Sequence, residues 1–226
     1  MLFIVDFDGT VAPRDTVDAL LQNFAGPEWE ELERDWIDGR INSQQCMTGQ
    51  IALVRGDDDR LREFLESVHI DPAFPSFVEY VRPFADVVIV SDGLDYPIRH
   101  ALARAGLDVP VVANGLAFRD RGLAISFPHF DTACTVGSGV CKCAATRRAN
   151  TSGGTVVLIG DGKSDACIAR IADVVFAKDT LRSICESTGI PHIPFASFAD
   201  VLATVAQWST NGTIEEPRCP LTTLQT

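Results

Sequence analysis

Positive charge is scarce in this sequence. Nineteen Lys and Arg stand against 31 Asp and Glu, a net charge of −12. A nucleic-acid binder needs a basic face to neutralise phosphates, so that class is not expected. Long apolar runs are missing too, and none approaches the roughly 20 residues of a membrane-spanning helix. The apolar start, Met1 to Val5, has no basic flank and stops at Asp6, so no secretory signal is expected. The cysteine count, seven, is odd, so the thiols cannot all pair within one chain. Cys46, Cys167 and Cys185 fall inside helix-like patterns, where buried reduced thiols are ordinary. A cytoplasmic, reducing compartment is the expectation. No internal repeat is present. An acidic chain of this kind can handle a phosphate only where positive charge is placed locally, by a metal ion or a lysine.

The 226 residues are 46% hydrophobic, enough for a sizeable core, either as one large domain or as a core with an insert. Leu2 to Val5 is apolar throughout, as suits a strand buried on both faces of a parallel sheet. From Asp15 to about Tyr80 the pattern is helical. Asp15 or Thr16 caps a first helix through Phe24, and Trp29, Leu32, Trp36 and Ile37 mark a second. Asn42 or Ser43 starts a third to about Val54, Gly56-Asp57 a fourth through Val68, and a short fifth ends near Val81. Strand-like runs return at Asp86 to Val90, Val109 to Ala113, Thr155 to Ile159 and Val174 to Ala177. A hairpin is expected around Arg119 to Gly122, and a helix over Lys142 to Ala149. Helices are also expected from Ser164 to about Ile171 and from Ser197 to Trp208.

Alternating strands and helices predict an α/β fold: a Rossmann-like parallel sheet with helices on both faces. The expected organisation is a core of residues 1–12 and 83–208, a small helical cap of residues 13–82 inserted after the first strand, and a loose polar tail over 209–226.

Three apolar runs end alike: Asp6-Phe7-Asp8-Gly9, Ser91-Asp92-Gly93 and Gly160-Asp161-Gly162. Ligands of open α/β sheets bind at the carboxyl ends of the strands, where such residues converge. Asp6 and Asp8 lie two residues apart, on one face of an extended chain. Like charges so placed repel unless a cation intervenes or one takes a proton. A divalent cation on oxygen ligands, Mg²⁺, answers the first need. Taken singly, each residue has an ordinary role open to it. Asp161-Gly162 could be a turn, Asp165 or Ser91 a helix cap, Lys142 a solvated lysine.

Taken together and in order, Asp6-Phe7-Asp8-Gly9-Thr10, Ser91, Lys142 and Gly160-Asp161-Gly162-Lys163-Ser164-Asp165 resemble the haloacid dehalogenase-like superfamily of phosphohydrolases. The resemblance covers nearly the whole chain up to the tail. It implies that Asp6 is the nucleophile that forms an aspartyl phosphate, and that Asp8 is the general acid and base. It implies Mg²⁺ held by Asp6, Asp161 and the backbone carbonyl of Asp8, with Asp165 in support. Ser91, with the backbone near Asp92 and Gly93, binds the phosphate, and Lys142 neutralises charge on nucleophile and phosphate. The position of the helical insert matches the cap of the phosphoserine-phosphatase-like branch, with Arg14, Asp15 and the helix from Ser43 facing the substrate. In that branch an arginine on the cap binds the substrate carboxylate. A gapless alignment from Gly39 puts Gln50 there, which has no guanidinium fork, and Arg55 is the nearest alternative.

A narrower resemblance, to the 2-hydroxy-3-keto-5-methylthiopentenyl-1-phosphate phosphatases of methionine salvage, rests on several segments. These are Pro128-His129, Cys134, Cys141-Lys142-Cys143, Phe176-Ala177-Lys178-Asp179 and His192 to Phe195. That family carries Ser-Gly-Gly where this chain has Ser91-Asp92-Gly93. By ligand type alone, Cys134, Cys141 and Cys143, with His129 nearby, could hold a structural zinc ion. The expected activity is Mg²⁺-dependent hydrolysis of a small phosphate monoester. A phosphoserine-phosphatase-like hydrolase of another substrate, a sugar-phosphate mutase and a non-catalytic phosphate-binding or signalling protein are the alternatives.

Overall fold

The computed structural model describes residues 1–120, 122–134, 137–210 and 213–214. Strand β1 is Leu2–Val5. Five helices follow before the next strand: α1 (Thr16–Phe24), α2 (Trp29–Ile37), α3 (Ser43–Leu53), α4 (Asp58–Glu66) and α5 (Phe74–Val81). Then come β2 (Asp86–Leu94), α6 (Asp95–Arg104), the hairpin strands β3 (Val111–Arg119) and β4 (Gly122–Ser126), and α7 (Lys142–Ala149). The chain continues through β5 (Val156–Gly160), a 3-10 turn (Lys163–Asp165), α8 (Ala166–Ala169), β6 (Val174–Ala177), α9 (Asp179–Thr188), β7 (Ile193–Pro194) and α10 (Phe198–Gln207). Last is a two-residue pairing, β8 (Ser209–Thr210) with β9 (Thr213–Ile214). The expectation of a loose tail otherwise lies outside the described residues.

Seven strands form one sheet in the order β4-β3-β2-β1-β5-β6-β7, parallel except for the β3–β4 hairpin. This is the expected Rossmann-like α/β architecture. β1 is central because it is apolar on both sides. Phe3 and Val5 point into one core cluster with α5, α6 and α10, while Leu2 and Ile4 point into another with α7, α8 and α9. Each such fully buried side chain contributes about 1.5–3 kcal/mol. β2 and β5 flank β1 in register, Val5 opposite Ile89 and Ile159. The first motif therefore leaves the sheet between the other two strand ends.

Helices α1, α3 and α4 pack on one another through Leu20, Leu21, Met47, Ile51, Leu61 and Leu65, and against Leu94 and Leu116. Helix α5 packs elsewhere. Phe74 and Phe77 meet Phe198 of α10 at ring-centroid distances of 4.8 and 5.3 Å, and Phe77 meets Phe3 at 5.2 Å. By packing, α5 sits with β1 and α10, although it falls inside the range expected for the cap. Among the described residues no helix is long and apolar enough to cross a membrane.

Candidate active site

β1 ends at Val5, yet the Asp6 amide still donates to the Ile159 carbonyl at 2.9 Å. Asp6 thus sits at the strand edge beside Gly160 and Asp161. Gly9 then takes a φ of +72°, and the chain folds back so that the Thr10 and Ala12 amides both reach the Phe7 carbonyl. A side chain at position 9 would overlap the Asp161 carboxylate. Gly9→Ala is therefore expected to destabilise the fold by more than the roughly 1–2 kcal/mol of the left-handed backbone alone. An unchanged urea midpoint would overturn this.

Lys142 opens α7 and is fully buried between two acids. Its Nζ lies 2.8 Å from Asp6 and 2.6 Å from Asp165. Burial opposes its charge, but Asp165 and Asp6 outweigh burial and hold its pKa above the usual lysine value. Asp6 is pushed upward by burial and by Asp165 and Asp161, with Lys142 acting against them. Asp161, pushed up by burial, accepts a hydrogen bond from Thr10 Oγ1 at 2.7 Å.

Among the described residues, the metal-competent group of three is Asp6, Asp161 and Asp165. Their oxygens lie within 4.8 Å of one another. Three carboxylates facing one ammonium leave two negative charges uncompensated. That deficit and the all-oxygen donor set fit one divalent cation such as Mg²⁺.

Asp8 is arranged differently. Its Oδ1 accepts from the Thr16 amide at 2.8 Å and the Thr16 hydroxyl at 2.6 Å, while its Oδ2 is buried with no partner. Gly93 faces Oδ2 closely enough that a Cβ there would collide with it. Burial, with Asp15 adding and Thr16 opposing, pushes the Asp8 carboxyl from 3.8 up to about 7. A carboxyl near neutrality with one free oxygen can give a proton and take it back.

Ser91 is buried, and its Oγ accepts from the Gly93 amide at 3.0 Å, leaving the hydroxyl proton for a ligand. Asp92 also lines the cleft, but the protein occupies both its oxygens. Oδ1 accepts from the Val140 amide at 2.9 Å and from Asn114 at 3.2 Å, and Oδ2 accepts from Ser43 at 3.2 Å. It ties α3, β3 and the loop before α7 together.

Asp6, Asp8, Ser91, Asp92 and Asp161 line one cleft of about 620 Å³, roofed by α1, α2 and α3, while Lys142 and Asp165 are buried behind it. Asp15 and Gln50 line it, and Asp15 also caps α1. Arg14 is exposed and lies outside the lining, contrary to expectation. Arg55 turns to the carbonyls of Ala52 and Val54 and does not line the cleft. Among the described residues the zinc expectation finds no metal-competent cysteine group. Cys134, Cys141, Cys143 and Cys167 line one small pocket, Cys141 beside Cys134 and Cys143 beside Cys167, but they do not form a group whose ligand atoms all lie within 4.8 Å of one another.

Sequence reasoning missed two residues of the site: Thr16, which is buried behind Asp8, and Glu33, which lines the cleft. Thr16 looked like a cap and holds Asp8 instead. Glu33 had a visible signal, since at helical spacing it falls in the middle of the face marked by Trp29, Leu32, Trp36 and Ile37.

The model of the haloacid dehalogenase-like hydrolases matches residues 3–170. The chain is 32% identical over 212 residues to a 2-hydroxy-3-keto-5-methylthiopentenyl-1-phosphate phosphatase of Brevibacillus brevis, covering 92% of this chain and 96% of that one. It is 33% identical to the phosphatase of the same name from Geobacillus kaustophilus, over 89% and 94%. A phospho-aspartyl intermediate analogue of phosphoserine phosphatase shares the fold, with a TM-score of 0.68 at 19% identity over 90% of this chain and 97% of that one. The chain belongs to the haloacid dehalogenase-like hydrolases.

Proposed function

We propose that the protein is a Mg²⁺-dependent phosphomonoesterase that works through an aspartyl phosphate on Asp6. The observation that carries the reading is the division of labour between two carboxylates. Asp6 is held by a buried ammonium, and Asp8, near pKa 7, has an unpartnered oxygen.

In the first step an Asp6 oxygen attacks phosphorus, and the bond from phosphorus to the ester oxygen breaks. Asp8 gives its proton to the departing oxygen. In the second step Asp8, now ionised, takes a proton from water while that water attacks phosphorus, freeing Asp6 and inorganic phosphate. Lys142 fixes the nucleophile and offsets its charge, and the Ser91 hydroxyl donates to a phosphate oxygen. Asp6, Asp161 and the Asp8 carbonyl, with Asp165 in support, would hold Mg²⁺, which would supply the charge that lets an anion attack an anion. We read α1 to α4 as a cap that excludes water and selects the leaving group.

The relatives named above suggest the substrate, the enol phosphate 2-hydroxy-3-keto-5-methylthiopentenyl-1-phosphate. The apolar Val17, Ile41 and Met47 along the cleft suit its thioether arm. Phosphoserine fits less well, because Gln50 offers its carboxylate no cation.

The test is phosphate release from an aryl phosphate, with and without Mg²⁺, by wild type and Asp6→Asn. Mg²⁺-dependent release that Asp6→Asn abolishes is the expected result. Release that survives in Asp6→Asn would sink the assignment of the nucleophile.

A further inference from the structure

The cap side of the cleft carries a line of acids. Asp8 is pushed up partly by Asp15, Asp15 partly by Asp18, and Asp18 by burial and then by Glu33. Each acid is close enough to the next for repulsion to register. All four line the cleft. Two cations also line the cleft, and one of them is paired. Arg40 is paired with Asp35 and Asp38 at 2.6 and 2.7 Å, and Lys163 stands 6.0 Å from the Trp36 ring.

At the far end of this line, Gln50 Nε2 donates to Glu33 Oε2 at 2.9 Å. Gln50 is buried, so the bond fixes the Glu33 carboxylate in place. Glu33 Oε1 has no hydrogen-bond partner in the protein among the described residues. A fixed carboxylate with an open oxygen accepts a hydrogen bond from a hydroxyl and repels another carboxylate.

We propose that Glu33, held by Gln50, is a specificity residue that selects phosphate esters whose leaving group carries a hydroxyl and no carboxylate. The inference rests on the phosphatase reading above and adds to it the residue that does the sorting and the class it rejects. A hydroxyl of the leaving group donates to Glu33. A carboxylate at the same place meets Glu33 and Asp18, and Arg40 is already paired with Asp35 and Asp38.

A matched pair tests this, namely glycerol 3-phosphate and 3-phosphoglycerate, which differ in a CH₂OH against a carboxylate. Wild type is expected to favour glycerol 3-phosphate in kcat/KM by roughly tenfold or more. Glu33→Gln keeps the shape and removes the charge, so the ratio is expected to collapse towards one, mainly through a lower KM for 3-phosphoglycerate. Gln50→Leu frees Glu33 and is expected to raise KM for glycerol 3-phosphate with little change in kcat. Equal use of the two esters by wild type, or a ratio that Glu33→Gln leaves intact, would overturn the role of Glu33 and leave the phosphatase reading standing. Failure of wild type with Mg²⁺ on both esters and on an aryl phosphate would overturn the phosphatase reading, and this inference with it.

Discussion

Asp8→Asn, given an aryl phosphate, is expected to release about one phenol per active site and then stall. An aryl oxygen leaves without help from an acid, so Asp6 can still be phosphorylated. Hydrolysis of the aspartyl phosphate needs a base, and Asn is none. Turnover should therefore fall by about 10²–10⁴, the usual worth of a positioned acid or base. An alkyl phosphate should give no burst, because its alkoxide needs the proton. In wild type the protonated form of Asp8 starts the reaction, so kcat/KM on an alkyl ester should decline as pH rises through about 7. The same substitution should stabilise the protein. The folded-state pKa of Asp8 is raised, so the native state binds the extra proton between pH 3.8 and about 7, and stability is lost as pH climbs through that window. The shift converts to roughly 4 kcal/mol as an upper bound. Asn carries no charge to bury, so its gain should be full above pH 7 and vanish near pH 4 in urea unfolding. Steady turnover near the wild-type rate, or a gain that ignores pH, would remove Asp8 from this role.

The parts of the site that were legible in the sequence are those set by the sheet. Apolar runs without alternation could be satisfied only by burial on both faces, and β1, β2, β5 and β6 all lie inside the sheet. Their ends had to converge, and Asp6, Ser91 and Asp161 do. Lys142 was expected to open a helix and does. What failed depended on contacts distant in sequence. β2 runs on through Ser91-Asp92-Gly93 to Leu94, because a register shift against β3 lets the strand resume pairing at Asn114. The short run at Val109 and the first hairpin strand proved to be one strand, β3, parallel to β2 at its start and antiparallel to β4 at its end. The helix expected from Ser164 is split into a 3-10 turn and α8, and in that turn Asp165 reaches back to the Gly162 amide while also holding Lys142. Arg14 and Gln50 were placed by analogy of position, and burial then separated them, leaving Arg14 in solvent and Gln50 in the cleft. No local pattern announces that a polar residue faces inward. Glu33 came nearest, as the one charge within an apolar helical face.

Lys142→Met is expected to cost about 3–5 kcal/mol at pH 8 in a chelator. That is the penalty of stripping a buried charge of its partner, and here two acids lose the same one. For a chain of this size it lowers Tm by roughly 6–20 °C. Met fills most of the lysine volume, so little of the loss can be a cavity. The cause is Asp6 and Asp165 facing each other with no cation between them. Two conditions should restore stability if that is right. Acid should narrow the gap to wild type, because Asp6 and Asp165 can then take protons and the repulsion disappears. Mg²⁺ should narrow it at pH 8 as well, since a divalent cation among Asp6, Asp161 and Asp165 replaces the missing charge. Lys142→Met combined with Asp165→Asn should be more stable than Lys142→Met alone, having one buried charge fewer. A thermal melt series over pH with and without Mg²⁺ reads all three. A deficit that is the same in acid, in Mg²⁺ and in the double variant would mean that Lys142 acts through packing and not through its charge. The ammonium would then have no claim to hold the nucleophile in place.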